Sequence, residues 1–149
     1  MKNKADAVVV GGGVMGCSIL YNLASKGVTG ALLVEREALG AGSTGRSSGV
    51  VRMHYSSEVN ARLAWKSLDI LRNFGELVGG DSGFVNTGFM LFVPPEALGS
   101  FEKNIAMQQS IGIDTRIVSQ EEAREIAPYM QVEDAAGICY EPQSGYADP

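Results

Sequence analysis

Residues 11–16 read Gly-Gly-Gly-Val-Met-Gly and place glycines at the three fixed positions of a G-x-G-x-x-G pattern. One apolar run precedes this pattern, and a second apolar run ends on Glu35. Glycines with this spacing let a phosphate group approach the backbone, and a carboxylate roughly 20 residues later accepts hydrogen bonds from ribose hydroxyls. The pattern therefore predicts a binding site for an adenine dinucleotide.

Each glycine of the pattern has a separate physical role. Gly11 allows a tight turn out of the preceding strand, Gly13 has no Cβ where a pyrophosphate would lie, and Gly16 lets the next helix pack closely. The N–H groups at the helix N-terminus attract the diphosphate. Because Glu35 would repel a 2′-phosphate, an NADP-type ligand is disfavoured. The alternative is a glycine-rich turn that binds no ligand.

The surrounding elements must form a strand–helix–strand unit to position these groups. We expect a strand at 5–11, a helix at 14–27 that Gly27 ends, and a strand at 30–35. A parallel sheet is covered on both faces, and a doubly wound domain needs more such units than this sequence contains. We therefore expect the chain to be the N-terminal part of a longer protein, with a complete small protein as the alternative.

A loop rich in glycine and hydroxyl side chains follows Glu35. Residues 40–52 combine small residues with Ser43, Thr44, Arg46 and a pair of serines. Small residues permit close approach to a bulky ligand, hydroxyls can bond phosphate or flavin atoms, and an arginine supplies positive charge. These features favour a flavin over a nicotinamide, whereas the alternative is a flexible surface loop of ordinary turn residues.

The rest of the chain alternates helices with short strands and has no second glycine pattern. Glycines near residue 80 indicate a domain crossing, and the last residues, 144–149, are typical of a loop. The predicted elements are a long amphipathic helix at 57–78, a strand at 88–93, a helix from Pro95 to about Ser110, a strand at 116–118, a helix at 119–128 and a strand at 136–140.

Composition narrows the class of protein. A net charge of −5 and a pI near 4.8 argue against nucleic acid as a partner. The two cysteines, Cys17 and Cys139, lie far apart without metal-ligand spacing, so we expect no metal and interpret both as buried residues. No run reaches the roughly 18 apolar residues of a membrane span, and we find no convincing targeting signal. We expect no membrane association and a cytoplasmic location.

The sequence resembles the D-amino-acid oxidase family of FAD-dependent amine and amino-acid oxidoreductases. Within that family it is most similar to sarcosine oxidases, in particular the β subunit of the heterotetrameric type, with glycine oxidase and dimethylglycine dehydrogenase as relatives. The resemblance spans the chain but corresponds to the first part of a full-length member. It rests on residues 11–16, Glu35, residues 42–49 and 50–52, and on the later segments 88–92, 119–128 and 140–145.

The resemblance implies an α/β fold with a Rossmann-like FAD-binding βαβ unit of the GR2 type and part of an α+β substrate domain. Residues 1–83 would form the first part of the FAD-binding domain and residues 84–146 a segment of the substrate domain. Residues 147–149 would begin the return to the FAD-binding domain.

The resemblance also implies which residues form the site. Arg52 matches the position where sarcosine oxidases bind the substrate carboxylate; a surface charge at the start of a helix is its alternative. Arg46 stands where dimethylglycine dehydrogenase attaches FAD to a histidine, so non-covalent FAD is expected. No catalytic acid or base is assigned, and His54 is not expected to act as one. The implied cofactor-binding residues are Gly11, Gly13, Val14, Met15, Gly16, Glu35, Arg36, Ser43, Thr44, Arg46, Ser47 and Ser48.

The implied activity is oxidation of the C–N bond of an amino acid or N-methylated amine, similar to sarcosine, glycine or dimethylglycine, to an imine. The partners would be this small substrate and other oxidase subunits in a hetero-oligomer. We expect the 149-residue chain alone to be inactive and to bind FAD poorly. The alternatives are an NAD(H)-dependent dehydrogenase and a non-catalytic nucleotide-binding fragment.

Overall fold

The computed structural model describes residues 4–148, which form two compact units divided after Ser48. The second unit runs from Gly49 to Asp148. The predicted division at residue 83 concerns cofactor and substrate domains and stays a prediction. Within the described part of the chain, no helix has the length and apolarity needed to cross a membrane.

The first unit contains the predicted strand–helix–strand arrangement. Strand β1 spans Ala7–Val10, helix α1 spans Val14–Ser25 and strand β2 spans Ala31–Val34. The two strands pair in parallel, with Ala7 opposite Ala31. Gly27 has a φ of 86° and its N–H donates to the Ala24 carbonyl at 2.9 Å, so this glycine closes the helix end as predicted.

The two strands of this sheet alternate between half-buried and exposed residues. The exposed set is entirely apolar, and Val10 at the end of β1 is 83% exposed. Parallel sheets are normally covered on both faces. No element of the described residues covers the exposed apolar face of these two strands.

The second unit mixes helices with two antiparallel sheets of three strands each, in the orders β3-β8-β4 and β5-β7-β6. Its elements are β3 (Val50–Val51), α2 (Glu58–Arg72), α3 (Phe74–Leu77), β4 (Phe84–Asn86), β5 (Phe89–Val93), a 3-10 turn (Pro95–Ala97), α4 (Leu98–Ser110), β6 (Arg116–Ile117), α5 (Gln120–Ile126), β7 (Gly137–Glu141) and β8 (Gly145–Ala147).

Two sequence-based expectations in this unit are wrong. The single helix predicted at 57–78 breaks at Asn73, whose side-chain amide donates to the Asp69 carbonyl at 2.9 Å and so competes for a helical acceptor. The loop predicted at the end of the chain contains β8, in which Tyr146 pairs with Val50 and with Val85. These pairings join residues distant in sequence, which local patterns do not reveal.

Other local predictions hold. Ser119 accepts a hydrogen bond from the Glu122 N–H at 3.1 Å, and the Glu122 carboxylate accepts one from the Ser119 N–H at 2.9 Å, which forms the predicted capping box. Cys139 is fully buried as expected, whereas Cys17 is only half-buried. Three clusters form the core, around Met53, Ala61, Leu68 and Ile113, around Val118, Ala123, Val132 and Ile138, and around Phe101, Ile105 and Cys139.

Two helical glycines give a matched test of the packing at the start of α1. A Cβ at Gly16 would collide with the carbonyl oxygen of Gly11, whereas a Cβ at Gly99 on α4 would meet no atom within 4 Å. We expect Gly16→Ala to lower the free energy of unfolding by about 1–3 kcal/mol and Gly99→Ala to raise it by about 0.5–1 kcal/mol. Urea denaturation of the purified variants measures both, and equal effects would contradict the packing described.

Candidate cofactor-binding site

The N-terminus of α1 presents backbone N–H groups without helical acceptors. The first intrahelical hydrogen bond runs from the Cys17 N–H to the Gly13 carbonyl at 3.0 Å, so the amides of residues 13–16 lack partners in the helix. The first turn of α1 contains no acidic side chain. The partial positive charge of the helix end is therefore not neutralised by the helix itself.

Glu35 lies against this turn because its carboxylate accepts three backbone hydrogen bonds. One oxygen accepts from the Gly12 N–H at 2.7 Å, and the other accepts from the N–H groups of Arg36 at 2.7 Å and Glu37 at 3.0 Å. The bond from Gly12 is the first cause that holds the pKa of this carboxyl below its ordinary value of 4.5. The acid is ionised at neutral pH and faces the glycine turn.

Gly12 is a site residue to which the sequence analysis gave no role. A Cβ at this position would lie 2.6 Å from Leu39 Cδ2 and 3.2 Å from the Glu35 side chain. Its carbonyl also accepts from the Gly40 N–H at 2.9 Å. The sequence does contain a signal for this role, because Gly12 is a third glycine at a position where the G-x-G-x-x-G pattern accepts any residue. Gly11 turns the chain with a φ of 103°.

The serine-rich loop returns to the helix N-terminus through Thr44. Its hydroxyl oxygen accepts from the Val14 N–H at 3.0 Å and would lie 3.1 Å from a Cβ at Gly13. The structure thus joins residues 11–16, Glu35 and Thr44. The remaining predicted loop residues lie elsewhere along the loop with exposed side chains, and their contacts with a flavin stay predictions; they are Ser43, Arg46, Ser47 and Ser48.

Arg36 follows Glu35, and its side chain is 89% exposed and forms an ion pair with Glu37 at 3.4 Å. The Arg36 guanidinium therefore contacts Glu37 and not the glycine turn, and this contact does not test its predicted position along the adenine. Its predicted role stays a prediction.

Arg52 belongs to the second unit, where it follows β3. Its guanidinium donates to the His54 carbonyl and lies 4.9 Å from the Tyr55 ring centroid and 5.6 Å from that of Phe89. Two aromatic faces therefore orient this cation. The alternative interpretation placed Arg52 at the start of a helix, but α2 begins at Glu58.

His54 and Cys139 contact each other in the buried part of the second unit. The Nδ1 atom of His54 lies 3.6 Å from Cys139 Sγ and 3.6 Å from a Glu141 carboxylate oxygen. Burial, reinforced by the Glu141 charge, raises the pKa of the Cys139 thiol to about 11. The thiol is thus protonated at neutral pH and is not a nucleophile.

These groups fit an anionic diphosphate. The turn offers amide hydrogens, has no side chain at Gly13 and carries no carboxylate in the first turn of its helix. Glu35 uses three of the roughly four acceptor sites of a carboxylate. One site remains for a ribose hydroxyl, and a second hydroxyl must share or replace the bond from Gly12.

Comparison with known proteins agrees with this geometry. The sequence model of the FAD dependent oxidoreductase family matches residues 6–149. The chain belongs to this family. The predicted membership of the D-amino-acid oxidase group, the α/β FAD-binding fold and FAD as the cofactor are therefore confirmed, and the NAD(H)-dependent alternative loses its support.

Individual relatives extend this finding. The chain is 32% identical to mitochondrial sarcosine dehydrogenase of Mus musculus, over 100% of the chain and 16% of that protein. It is 26% identical to mitochondrial dimethylglycine dehydrogenase of Rattus norvegicus, over 99% of the chain and 17% of that protein. The chain thus spans about a sixth of the length of these curated relatives.

Solved structures give the same result. L-proline dehydrogenase from P. horikoshii superimposes with a TM-score of 0.89 at 30% identity, covering 100% of this chain and 39% of that one. Glycine oxidase from Bacillus cereus superimposes with a TM-score of 0.76 at 25% identity, covering 97% of this chain and 40% of that one. The arrangement of elements described above is therefore that of FAD-binding oxidoreductases.

A side chain at Gly13 tests the diphosphate site. We expect Gly13→Val to weaken FAD binding by more than about tenfold, equivalent to about 1.4 kcal/mol, because the valine fills the space above the first-turn amides. Flavin released per protein on denaturation of the full-length enzyme measures this. Gly99→Val is the matched control, since a Cβ there meets open space. Equal flavin content in the two variants would remove Gly13 from the site.

The Glu35 carboxylate gives a pH test. Its pKa is lower in the folded than in the unfolded chain, so its stabilising effect is present above pH 4.5 and is lost as the pH falls through the folded value. We expect Glu35→Gln to lower the unfolding temperature at neutral pH, with the difference from the parent shrinking as the pH falls below 4.5. Thermal unfolding across this range measures it. A difference independent of pH would contradict the role assigned to the charge.

Proposed function

We propose that the chain is the cofactor-binding and substrate-carboxylate-binding part of an FAD-dependent enzyme that oxidises the C–N bond of an amino acid or N-methylated amino acid to an imine. Family membership supports the cofactor, and relatives named sarcosine dehydrogenase, dimethylglycine dehydrogenase and glycine oxidase support the substrate class. The geometry of Arg52 is the observation that carries the substrate proposal.

Arg52 suits a carboxylate for three physical reasons. Its guanidinium is planar and binds carboxylate with two parallel hydrogen bonds. The rings of Tyr55 and Phe89 hold the plane of this group. The bond to the His54 carbonyl uses one of five N–H donors, which leaves donors for a ligand.

When bound, FAD would supply a two-electron acceptor for the hydride of the substrate carbon, while the nitrogen loses a proton and the C–N bond becomes C=N. The amides of residues 13–16 would hold its diphosphate, and the Val14 N–H among them donates to the Thr44 hydroxyl in this structure. Glu35 would hold the adenosine ribose through the acceptor site that its three backbone bonds leave. The only histidine of the chain, His54, is 7% exposed, which favours non-covalent FAD in this part of the protein.

A non-catalytic role is the second candidate. The chain is 29% identical, over 94% of its length, to a mitochondrial protein of Mus musculus named pyruvate dehydrogenase phosphatase regulatory subunit. The name of this relative supports a regulatory role. We further propose association with other oxidase subunits and a cytoplasmic location.

Anaerobic reduction of the flavin separates the two candidates. The purified full-length protein is mixed with glycine, sarcosine, dimethylglycine or L-proline, and the flavin absorbance is followed. The proposed activity predicts bleaching by at least one of these amino acids. Bound flavin that none of them reduces would favour the regulatory role.

Replacement of Arg52 tests the carboxylate site. We expect Arg52→Lys in the full-length enzyme to raise the KM for sarcosine by about tenfold. The KM for sarcosinamide, the primary amide of sarcosine, should stay within about twofold, because only sarcosine carries the carboxylate. Flavin content should not change. Steady-state kinetics measure both constants.

Arg62→Lys is the matched control for this substitution. Arg62 forms an exposed ion pair with Glu58 at 2.8 Å on α2, and such pairs contribute little. Its replacement should leave both KM values at the parent level. An unchanged KM for sarcosine in Arg52→Lys would exclude Arg52 from the substrate site.

A further inference from the structure

We propose that Glu141 and Gln108 are positioning residues that hold Arg52 in its substrate-binding orientation. The inference rests on the proposed function, because it concerns how the carboxylate-binding arginine is presented. Both side chains are fully buried, Glu141 at the end of β7 and Gln108 on α4. Neither was singled out by the sequence.

Glu141 anchors the residue that follows Arg52. One carboxylate oxygen accepts from the Met53 N–H at 3.0 Å and from the Ser144 hydroxyl at 2.7 Å. The other oxygen lies 3.6 Å from His54 Nδ1 and, among residues 4–148, has no hydrogen-bond partner. The carboxylate thus contacts two successive residues of the segment after β3.

Gln108 anchors the other end of the same segment. Its side-chain amide donates to the Tyr55 carbonyl at 3.1 Å. Residues 53–55 are therefore held by two buried polar side chains that come from elements about fifty and about ninety residues further along the chain. The segment has no regular secondary structure of its own, so these contacts replace the hydrogen bonds of a helix or sheet.

Three groups contact the Arg52 guanidinium, and two of them belong to this anchored segment. Its guanidinium donates to the His54 carbonyl and lies over the Tyr55 ring. The third neighbour, Phe89, lies opposite Glu141 in the backbone register of β5 and β7, a pairing that does not involve the Glu141 side chain. The other two groups that orient Arg52, the His54 carbonyl and the Tyr55 ring, belong to the segment that Glu141 and Gln108 hold.

The cost of burial supports a positioning role. A carboxylate without full hydrogen bonding is expensive to bury, and an apolar residue of similar size is often as stable or more so. Glu141 is 0% exposed, and among the described residues one of its oxygens has no hydrogen bond and only the His54 Nδ1 atom nearby, at 3.6 Å. Fold stability alone therefore gives little reason for an acid here, whereas an anchor for the Arg52 segment needs an acceptor at this point.

The test uses the full-length holoenzyme with sarcosine and sarcosinamide as probes. Glu141→Met and Gln108→Met, both close in size to the parent residues, are made alone and combined with Arg52→Lys. We expect each single change to raise the KM for sarcosine by roughly three- to tenfold, with kcat, flavin content and the KM for the amide within about twofold. In the Arg52→Lys background the same changes should have little further effect.

A KM for sarcosine at the parent level in Gln108→Met would overturn the inference. It would also be overturned if the KM rose equally for sarcosine and its amide, or if the rise in KM persisted in the Arg52→Lys background, because either result would indicate general damage to the protein. If Glu141→Met fails to fold, Gln108→Met decides the question alone. If none of the amino acids tested reduces the flavin of the parent enzyme, both the proposed function and this inference are wrong. If the parent enzyme is active but the variants keep its KM for sarcosine, only the inference is wrong.

Discussion

The close approach of α1 to the end of β1 is the constraint on which the first unit depends. Residue 16 has no side chain, so the first turn of the helix packs directly against the carbonyl of Gly11. This approach fixes where the amides at the start of the helix point. Glu35 then ties the end of β2 to the same turn through the Gly12 N–H at 2.7 Å. Amide hydrogens and a carboxylate thereby meet at one edge of a parallel sheet, which is the arrangement that an adenine dinucleotide requires.

The second unit solves a similar positioning problem with different means. The segment after β3 has no regular hydrogen-bonding pattern, and buried side chains supply what the backbone lacks. Glu141 holds Met53, Gln108 holds Tyr55, and two aromatic rings orient Arg52. The charged group is therefore presented by a rigid frame, which limits the entropy that binding of a carboxylate must cost.

Sequence patterns predict the structural features that are set by residues close together in the sequence. The strand–helix–strand unit, the helix end at Gly27 and the capping box at Ser119 all follow from short spacings. The strands β3, β4 and β8 escape prediction because each has three residues or fewer and pairs only with distant partners. The bond from Met53 to Glu141 escapes it for the same reason, since 88 positions separate the two residues. The roles of the exposed loop residues beyond Thr44 remain predictions.

The most direct test of the central claim is a crystal structure of the full-length protein with FAD bound. The account predicts diphosphate oxygens within hydrogen-bond distance of the amides of residues 13–16 and the adenosine ribose on the Glu35 carboxylate. A diphosphate bound elsewhere, or a ribose that leaves Glu35 on its three backbone partners alone, would contradict it.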